Sequence, residues 1–206
     1  MRNGTGGFVR FKTLQAGRRE SRADSDYTRR WELPVSMKSF LAGVILVLVL
    51  VPLVGWLYLS SGRVPVATAS APFPFEKRIT GMALRAVIQL EAPKTVPLTA
   101  TPENLMGGAE VYKQNCAVCH GLPLQAKTAI AAGMFPPPPQ LWQANDMVTD
   151  DPAGVTYWKV ANGIRLTGMP GFKKTLSETQ MWQVSLLLAN ADKLPPATQQ
   201  ALVAHG

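Results

Sequence analysis

Between Phe40 and Leu59 the chain carries no charge over twenty consecutive residues, FLAGVILVLVLVPLVGWLYL. At about 1.5 Å per residue a helix of that length reaches roughly 30 Å, the thickness of a bilayer's hydrocarbon core. Trp56 and Tyr58 stand near its far end, where interfacial aromatics are favoured. Pro52 is tolerable in a membrane helix, where neighbours satisfy the freed carbonyl. Further along, apolar residues recur at Phe75, Ile79, Met82, Ala86 or Val87, and Leu90, with Lys77, Arg78 and Arg85 among the positions between. That spacing predicts a helix over about 75–90. The plainer expectation is that it packs on the domain that follows. The alternative is a helix lying along a membrane surface or docking on a partner.

Three stronger helix signals come after it. Thr101 can cap, Pro102 suits the first helical position and Glu103 favours the positive end of the dipole, so a helix runs through ENLMGGAEVYKQ. Asp150 or Asp151 before Pro152 opens a second, through AGVTYWKVAN, and Gly163 closes it. Ser177 with Gln180 forms a capping box, and Leu176 with Met181 a hydrophobic staple, for a third that ends near Ala191. No stretch alternates convincingly enough to predict a strand. The expected fold class is all-α, a small domain with long loops behind a single N-terminal transmembrane helix.

Boundaries follow from composition. Residues 1–38 read as a basic, disordered arm, 39–60 as the anchor, 61–100 as linker with the short helix inside it, 101–196 as the domain and 197–206 as a C-terminal tail. Pro, Ala and Ser dominate 61–73, and prolines recur at 93, 97 and 102.

Charge changes the picture in one respect. The formal net charge is +8, but residues 1–38 hold nine basic and four acidic side chains, whereas Thr101 onward holds seven of each. The basicity belongs to the arm, which argues against a nucleic-acid binder. Positive charge ahead of the apolar run puts the N-terminus in the cytoplasm and everything beyond Ser60 outside. A cleaved signal peptide is the rival. Its cleavage candidates around Ala67–Ala71 are spoiled by Pro72 or lie far from an apolar core that is itself long for a signal. Met37 would make a good start for an anchor segment, so the first 36 residues need not be part of the mature protein.

The candidate chemistry sits in NCAVCHG, residues 115–121, which holds the only two cysteines and one of the two histidines. A structural zinc site needs four protein ligands, and the whole supply is Cys116, Cys119, His120 and His205. A redox dithiol needs a strand–helix setting that the pattern does not offer. Cys-x-x-Cys-His is the attachment signature of haem c, with two thioethers to the porphyrin and the histidine directed at the iron. One covalently attached haem c would also supply the staple that a thin helical core needs.

For the second axial ligand a thioether is expected. Met147 and Met181 lie at the start of predicted helices, where packing is the default role. Met134 in AAGMFPPPPQL and Met169 in TGMPGF lie in loops beside Gly and Pro. Met169 is favoured, because the longer connection from His120 can wrap the haem. Met134 and an open iron site remain alternatives.

With these residues in place, the chain resembles a class I c-type cytochrome of the membrane-anchored, monohaem kind found in bacterial respiratory chains. ENLMGGAEVYKQNCAVCHG, WKVANGIRLTGMPGF and LSETQMWQVSLLLAN carry the resemblance, which covers roughly Thr101 to Pro196. It implies that Gly108 and Tyr112 meet the C-terminal helix near Trp182. It also implies that Pro136–Pro139, with Pro137 among them, form an extended wall beside the haem, and that Trp142, Tyr157 and Trp158 are pocket contacts. A single haem motif departs from the dihaem, oxidase-associated subunits of that superfamily. With both axial positions filled, no substrate meets the iron, so the expected function is single-electron transfer rather than catalysis. Arg165, Lys173 and Lys174 around the Met169 loop form a candidate basic docking ring for redox partner proteins. A cytochrome fixed in one periplasmic dehydrogenase or oxidase complex is the nearer alternative. A haem enzyme or gas sensor is the farther one.

Overall fold

The computed structural model describes residues 36–143 and 148–204. The arm before residue 36, Met147 and His205 lie outside the described residues. The chain divides into two units, Met1–Arg63 and Val64–Gly206.

In the first unit one helix, α1, spans Met37–Ser60. Ser36 starts it, its hydroxyl accepting from the Ser39 N–H at 3.2 Å. Pro52 lies inside the helix, none of its residues is buried, and it is long and apolar enough to cross a membrane.

In the second unit the order is α2 (Glu76–Glu91), α3 (Pro102–Asn115), α4 (Ala117–His120), α5 (Ala129–Gly133), α6 (Ala153–Asn162), α7 (Glu178–Ala189) and α8 (Pro196–Val203). Among the described residues there is no strand, only an isolated antiparallel bridge between Ile164 and Met169. The unit is all-α, as the periodicity predicts.

Local chemistry sets most of the helix ends. Thr101 caps α3, accepting from the Asn104 N–H at 3.3 Å, with Pro102 in the first turn. The Glu103 carboxyl is held below its usual range by the backbone N–H bond at this helix start, and then by Thr101. At α7 both halves of the capping box form: the Gln180 N–H donates to the Ser177 hydroxyl, and the Ser177 N–H donates to the Gln180 side chain. The start of α6 departs from expectation. Pro152 itself occupies the cap position, and Asp151 instead pairs with Lys159 at 2.6 Å. Gly163 closes α6 at φ +68°, a left-handed conformation that a side chain disfavours.

The core forms where α3 crosses α7. Leu105, Ala109, Val111 and Tyr112 meet Met181, Val184, Leu187 and Leu188 there. The crossing is close because Gly108 has no side chain. A Cβ there would be driven into the backbone carbonyl of Gln183, and would sit 3.0 Å from the Leu187 Cβ. α6 packs on the same helix, with Tyr157 stacked on Trp182 at 4.1 Å between ring centroids. Gly108 and Tyr112 thus sit where α3 meets α7 near Trp182, and Tyr112 also meets Trp142 edge to face at 5.4 Å.

The end of the chain requires a correction. The expected tail from 197 is the helix α8, packed on α3, with Thr198 and Leu202 buried. Lys113 of α3 donates to the carbonyls of Ala201 and Ala204 at 2.9 and 2.8 Å, satisfying groups that a helix end leaves open. The short PATQQALV segment has too little periodicity to announce itself. Its stability comes from contacts 88 and 91 residues away in sequence.

Gly108→Ala is expected to cost about 2 kcal/mol in spite of the better helix propensity of alanine, because a backbone carbonyl cannot swing aside. Guanidinium unfolding should show a lowered midpoint. The same change at Gly43, where no neighbouring atom lies within 4 Å, should leave that midpoint unmoved.

Candidate functional site

The Cys-x-x-Cys-His segment is built on the end of α3. Cys116 ends that helix, its N–H bonded to the Tyr112 carbonyl at 2.8 Å, and the chain turns at once into α4. The N–H groups of Cys119 and His120 both return to the Cys116 carbonyl, at 3.1 and 2.9 Å. The two cysteines and His120 are therefore displayed from a single rigid turn.

A helix of four residues leaves its last carbonyls without partners of its own. Each finds one elsewhere. The Thr128 hydroxyl donates to Val118 at 2.6 Å, and the Gln140 amide to Cys119 at 3.0 Å. The Leu141 N–H donates to His120 at 3.2 Å, and the buried Tyr112 hydroxyl to Gly121 at 2.8 Å. Gly121 leaves the left-handed turn (φ +74°) open beneath Gln140, whose side-chain oxygen would stand 2.7 Å from a Cβ there. Sequence reasoning missed Thr128 and Gln140. An isolated Thr or Gln in a loop gives no signal of a contact ten or twenty residues away.

His120 is oriented through its Nδ1, which lies 2.9 Å from the Pro139 carbonyl. A carbonyl only accepts, so Nδ1 carries the proton and Nε2 keeps its lone pair for a metal. Burial pushes the imidazole below its ordinary 6.5, with the Pro139 bond opposing part of that shift. Burial also pushes the Cys116 thiol up to about 12, helped by the neighbouring Cys119. An attacking dithiol requires the opposite, a stabilised thiolate.

Two cavities adjoin this turn. One, of about 250 Å³, is lined by His120, Gly121, Leu122, Leu124, Gln140 and Trp142 among others. The other, of about 410 Å³, is lined by Lys127, Pro137, Pro138, Pro139, Gln140 and Gln143. Pro137, Pro138 and Pro139 thus line the second of them, beside the His120 turn that Pro139 bonds. Trp142 Nε1 is buried and has no hydrogen-bond partner. An unpaired buried donor is costly, and one beside this cavity suits an acceptor on a bound group. Trp158 lines neither cavity, and its indole N–H donates to Glu91 at 2.9 Å.

The Met169 loop has its own framework. The chain leaves α6 at Gly163 and closes on itself through Ile164 N–H to the Met169 carbonyl at 3.1 Å. It then returns through Phe172 N–H to Val160 at 2.9 Å and Lys173 N–H to Ala161 at 3.2 Å. Gly163 makes the neck possible, since a Cβ on it would stand 2.7 Å from the Met169 carbonyl and 2.5 Å from the Gly171 nitrogen. The Met169 N–H is held by Thr167 Oγ1 at 3.2 Å. Arg165, Lys173 and Lys174 flank the loop and are all exposed. Met134 comes to the same place: its terminal methyl would lie 2.8 Å from a Cβ on Gly168. The two loop methionines are therefore close neighbours of one turn. Met181, by contrast, is buried in the core, as its helical position suggested.

A turn that carries two cysteines, with a histidine whose one nitrogen is committed and whose other is free, is a donor set that fits haem c, while Met169 lines neither cavity. The comparisons with known proteins agree. Residues 103–186 match the family model described as cytochrome c oxidase, cbb3-type, subunit III. Over 96 residues the chain is 27% identical to a quinohemoprotein alcohol dehydrogenase, ADH IIB, of Pseudomonas putida. That match takes in 47% of this chain and 12% of the relative's length. These likenesses support reading the matched region as a class I c-type cytochrome domain, a haem-binding electron-transfer module.

Two outcomes are expected. Tyr112→Phe strips the Gly121 carbonyl of its partner and should cost about 1–2 kcal/mol, seen as a lower denaturant midpoint with unchanged slope. As pH falls through 6.5 the unfolded chain protonates His120 before the folded one does. The unfolded state then binds more protons, so stability falls on acidification and is level above that value. Guanidinium midpoints measured from about pH 7.5 down to about 5 should decline only on the acid side.

Proposed function

We propose that this chain is a membrane-anchored monohaem cytochrome c. It passes single electrons between respiratory partners on the periplasmic side of a bacterial inner membrane. The observation that carries the proposal is the tautomer of His120, fixed by the Pro139 carbonyl at 2.9 Å so that Nε2 is free to ligate. A haem c bound here supplies a one-electron iron couple whose potential a His/Met ligand pair raises.

Each residue then has a role. Cys116 and Cys119 would hold the group through thioethers from one turn, so that it could not dissociate. His120 and Met169 would ligate its iron, and with both bound no small-molecule substrate would reach the metal. Trp142 offers its unpartnered N–H, while Pro137 and its neighbours wall off water on the His120 side. Arg165, Lys173 and Lys174 present an exposed cationic rim beside the Met169 loop. It suits an acidic partner and acts mainly on encounter rate and salt dependence. α1 supplies the single anchor, with the basic N-terminal arm in the cytoplasm by the positive-inside rule.

One observation favours a second reading, a cytochrome fixed as a subunit in one dehydrogenase or oxidase complex. α2 is held on the domain by Glu91 to Trp158, instead of running free as part of a linker. The quinohemoprotein name of the Pseudomonas putida relative is in keeping with it.

The purified, oxidised protein should show a weak far-red sulfur-to-iron(III) band and no response to carbon monoxide after reduction. Met169→Ala should abolish the band and admit carbon monoxide. A band that survives Met169→Ala and disappears only with Met134→Ala would transfer the axial role to Met134. Prompt carbon monoxide binding by the unaltered protein would sink the electron-carrier reading in favour of a haem enzyme or sensor. Replacing both Cys116 and Cys119 by Ala should make the haem extractable into acidified acetone.

A further inference from the structure

The geometry points to α2 as an interfacial helix. Its outer apolar stripe lies in the surface of the same bilayer that α1 enters, and so holds the cytochrome domain at a set orientation. This rests on the proposal that α1 is a membrane anchor.

α2 has two apolar sides. On one, Ile88 and the following Ala92 are buried, 8% and 4% exposed, and pack toward α6. That side is locked further along by Glu91 to Trp158, and by Gly154, whose missing side chain makes room for the Pro93 carbonyl. On the other, Ile79, Met82 and Leu90 stand 64%, 57% and 84% exposed, with Phe75 just ahead of the helix at 70%. At roughly 100° per residue, Ile79, Met82, Ala86 and Leu90 fall within an arc of about 80°, and Ile88 lies on the far side of the helix. Exposed apolar residues scattered singly need no explanation. A continuous stripe of four does.

Chain length and charge name the occupant. Residues 61–75 separate the end of α1 from the start of α2. Fully extended they reach about 50 Å, and as a flexible coil about 20 Å. A helix tethered within that distance of a membrane span meets the lipid surface at a high effective concentration. Arg78 and Arg85, seven residues apart, border the stripe on one side. Both are exposed, and the single ion pair among the described residues joins Lys159 to Asp151 instead. An apolar stripe bordered by free guanidinium groups is the pattern of a helix seated at the headgroup boundary of a bilayer containing anionic lipid. α6 is fixed to α2 and leads directly into the Met169 loop. Seating α2 on lipid therefore fixes which way that loop faces.

The test uses the full-length holoprotein in vesicles of phosphatidylglycerol and phosphatidylethanolamine, with single replacements Leu48→Cys, Thr80→Cys and Met82→Cys. Each carries an environment-sensitive fluorophore, read with nitroxide-bearing lipids as quenchers. Met82 is expected to be quenched several-fold more than Thr80, which lies on the helix outside the stripe. Leu48 should be quenched by deep nitroxides. Arg78→Gln with Arg85→Gln should reduce the Met82 quenching in the anionic vesicles. Leu48 in lipid with Met82 in water overturns this inference and leaves the anchor standing. Leu48 in water overturns the anchor and the inference together. A Met82 probe that is shielded in native membranes but not in the lipid vesicles assigns the stripe to a protein partner, and likewise overturns the lipid seat.

Discussion

Where α3 crosses α7, the missing side chain of Gly108 lets the two backbones approach until the Gln183 carbonyl lies almost against α3. The placement of the chemistry depends on that contact. α3 carries Cys116 at its end and Tyr112 one turn earlier, so the line of α3 determines where the cysteine turn emerges. α7 in turn supports α6 through Tyr157 on Trp182, and α6 delivers the Met169 loop. The His120 turn and the Met169 loop, far apart in sequence, are thus referenced to one helix crossing.

Around the cysteine turn the controlling physics is hydrogen-bond satisfaction. α4 is too short to use its own carbonyls, so Val118, Cys119, His120 and Gly121 each draw a donor from a different part of the chain. These four bonds hold the turn rigid, and the Pro139 carbonyl then fixes the imidazole within it. Rigidity suits an electron carrier, because ligands that move little between oxidation states keep the reorganisation at transfer small. The unpartnered indole of Trp142 is the exception in this accounting, and it lies beside the cavity that His120 lines.

α2 faces two ways. The inner side of α2 is part of the domain's packing, and its outer side has no partner within it.

Much was legible in the sequence because it depends on local rules. The apolar run of α1, the capping box at Ser177, the Pro102 helix start and the glycine stop at Gly163 all follow from neighbours within four residues. So does the Cys-x-x-Cys-His turn. Tertiary structure decided what depends on distant partners. It made α8 a helix through Lys113, turned Asp151 from a cap into the partner of Lys159, and gave the Trp158 indole to Glu91. It also brought Met134 beside the Met169 loop and set Thr128 and Gln140 on the carbonyls of α4. The division has a physical cause. Helix propensity and capping act over a turn, and the chain records them in adjacent letters. The satisfaction of a buried polar group is decided only once packing has chosen which distant atoms stand within 3 Å or so of it.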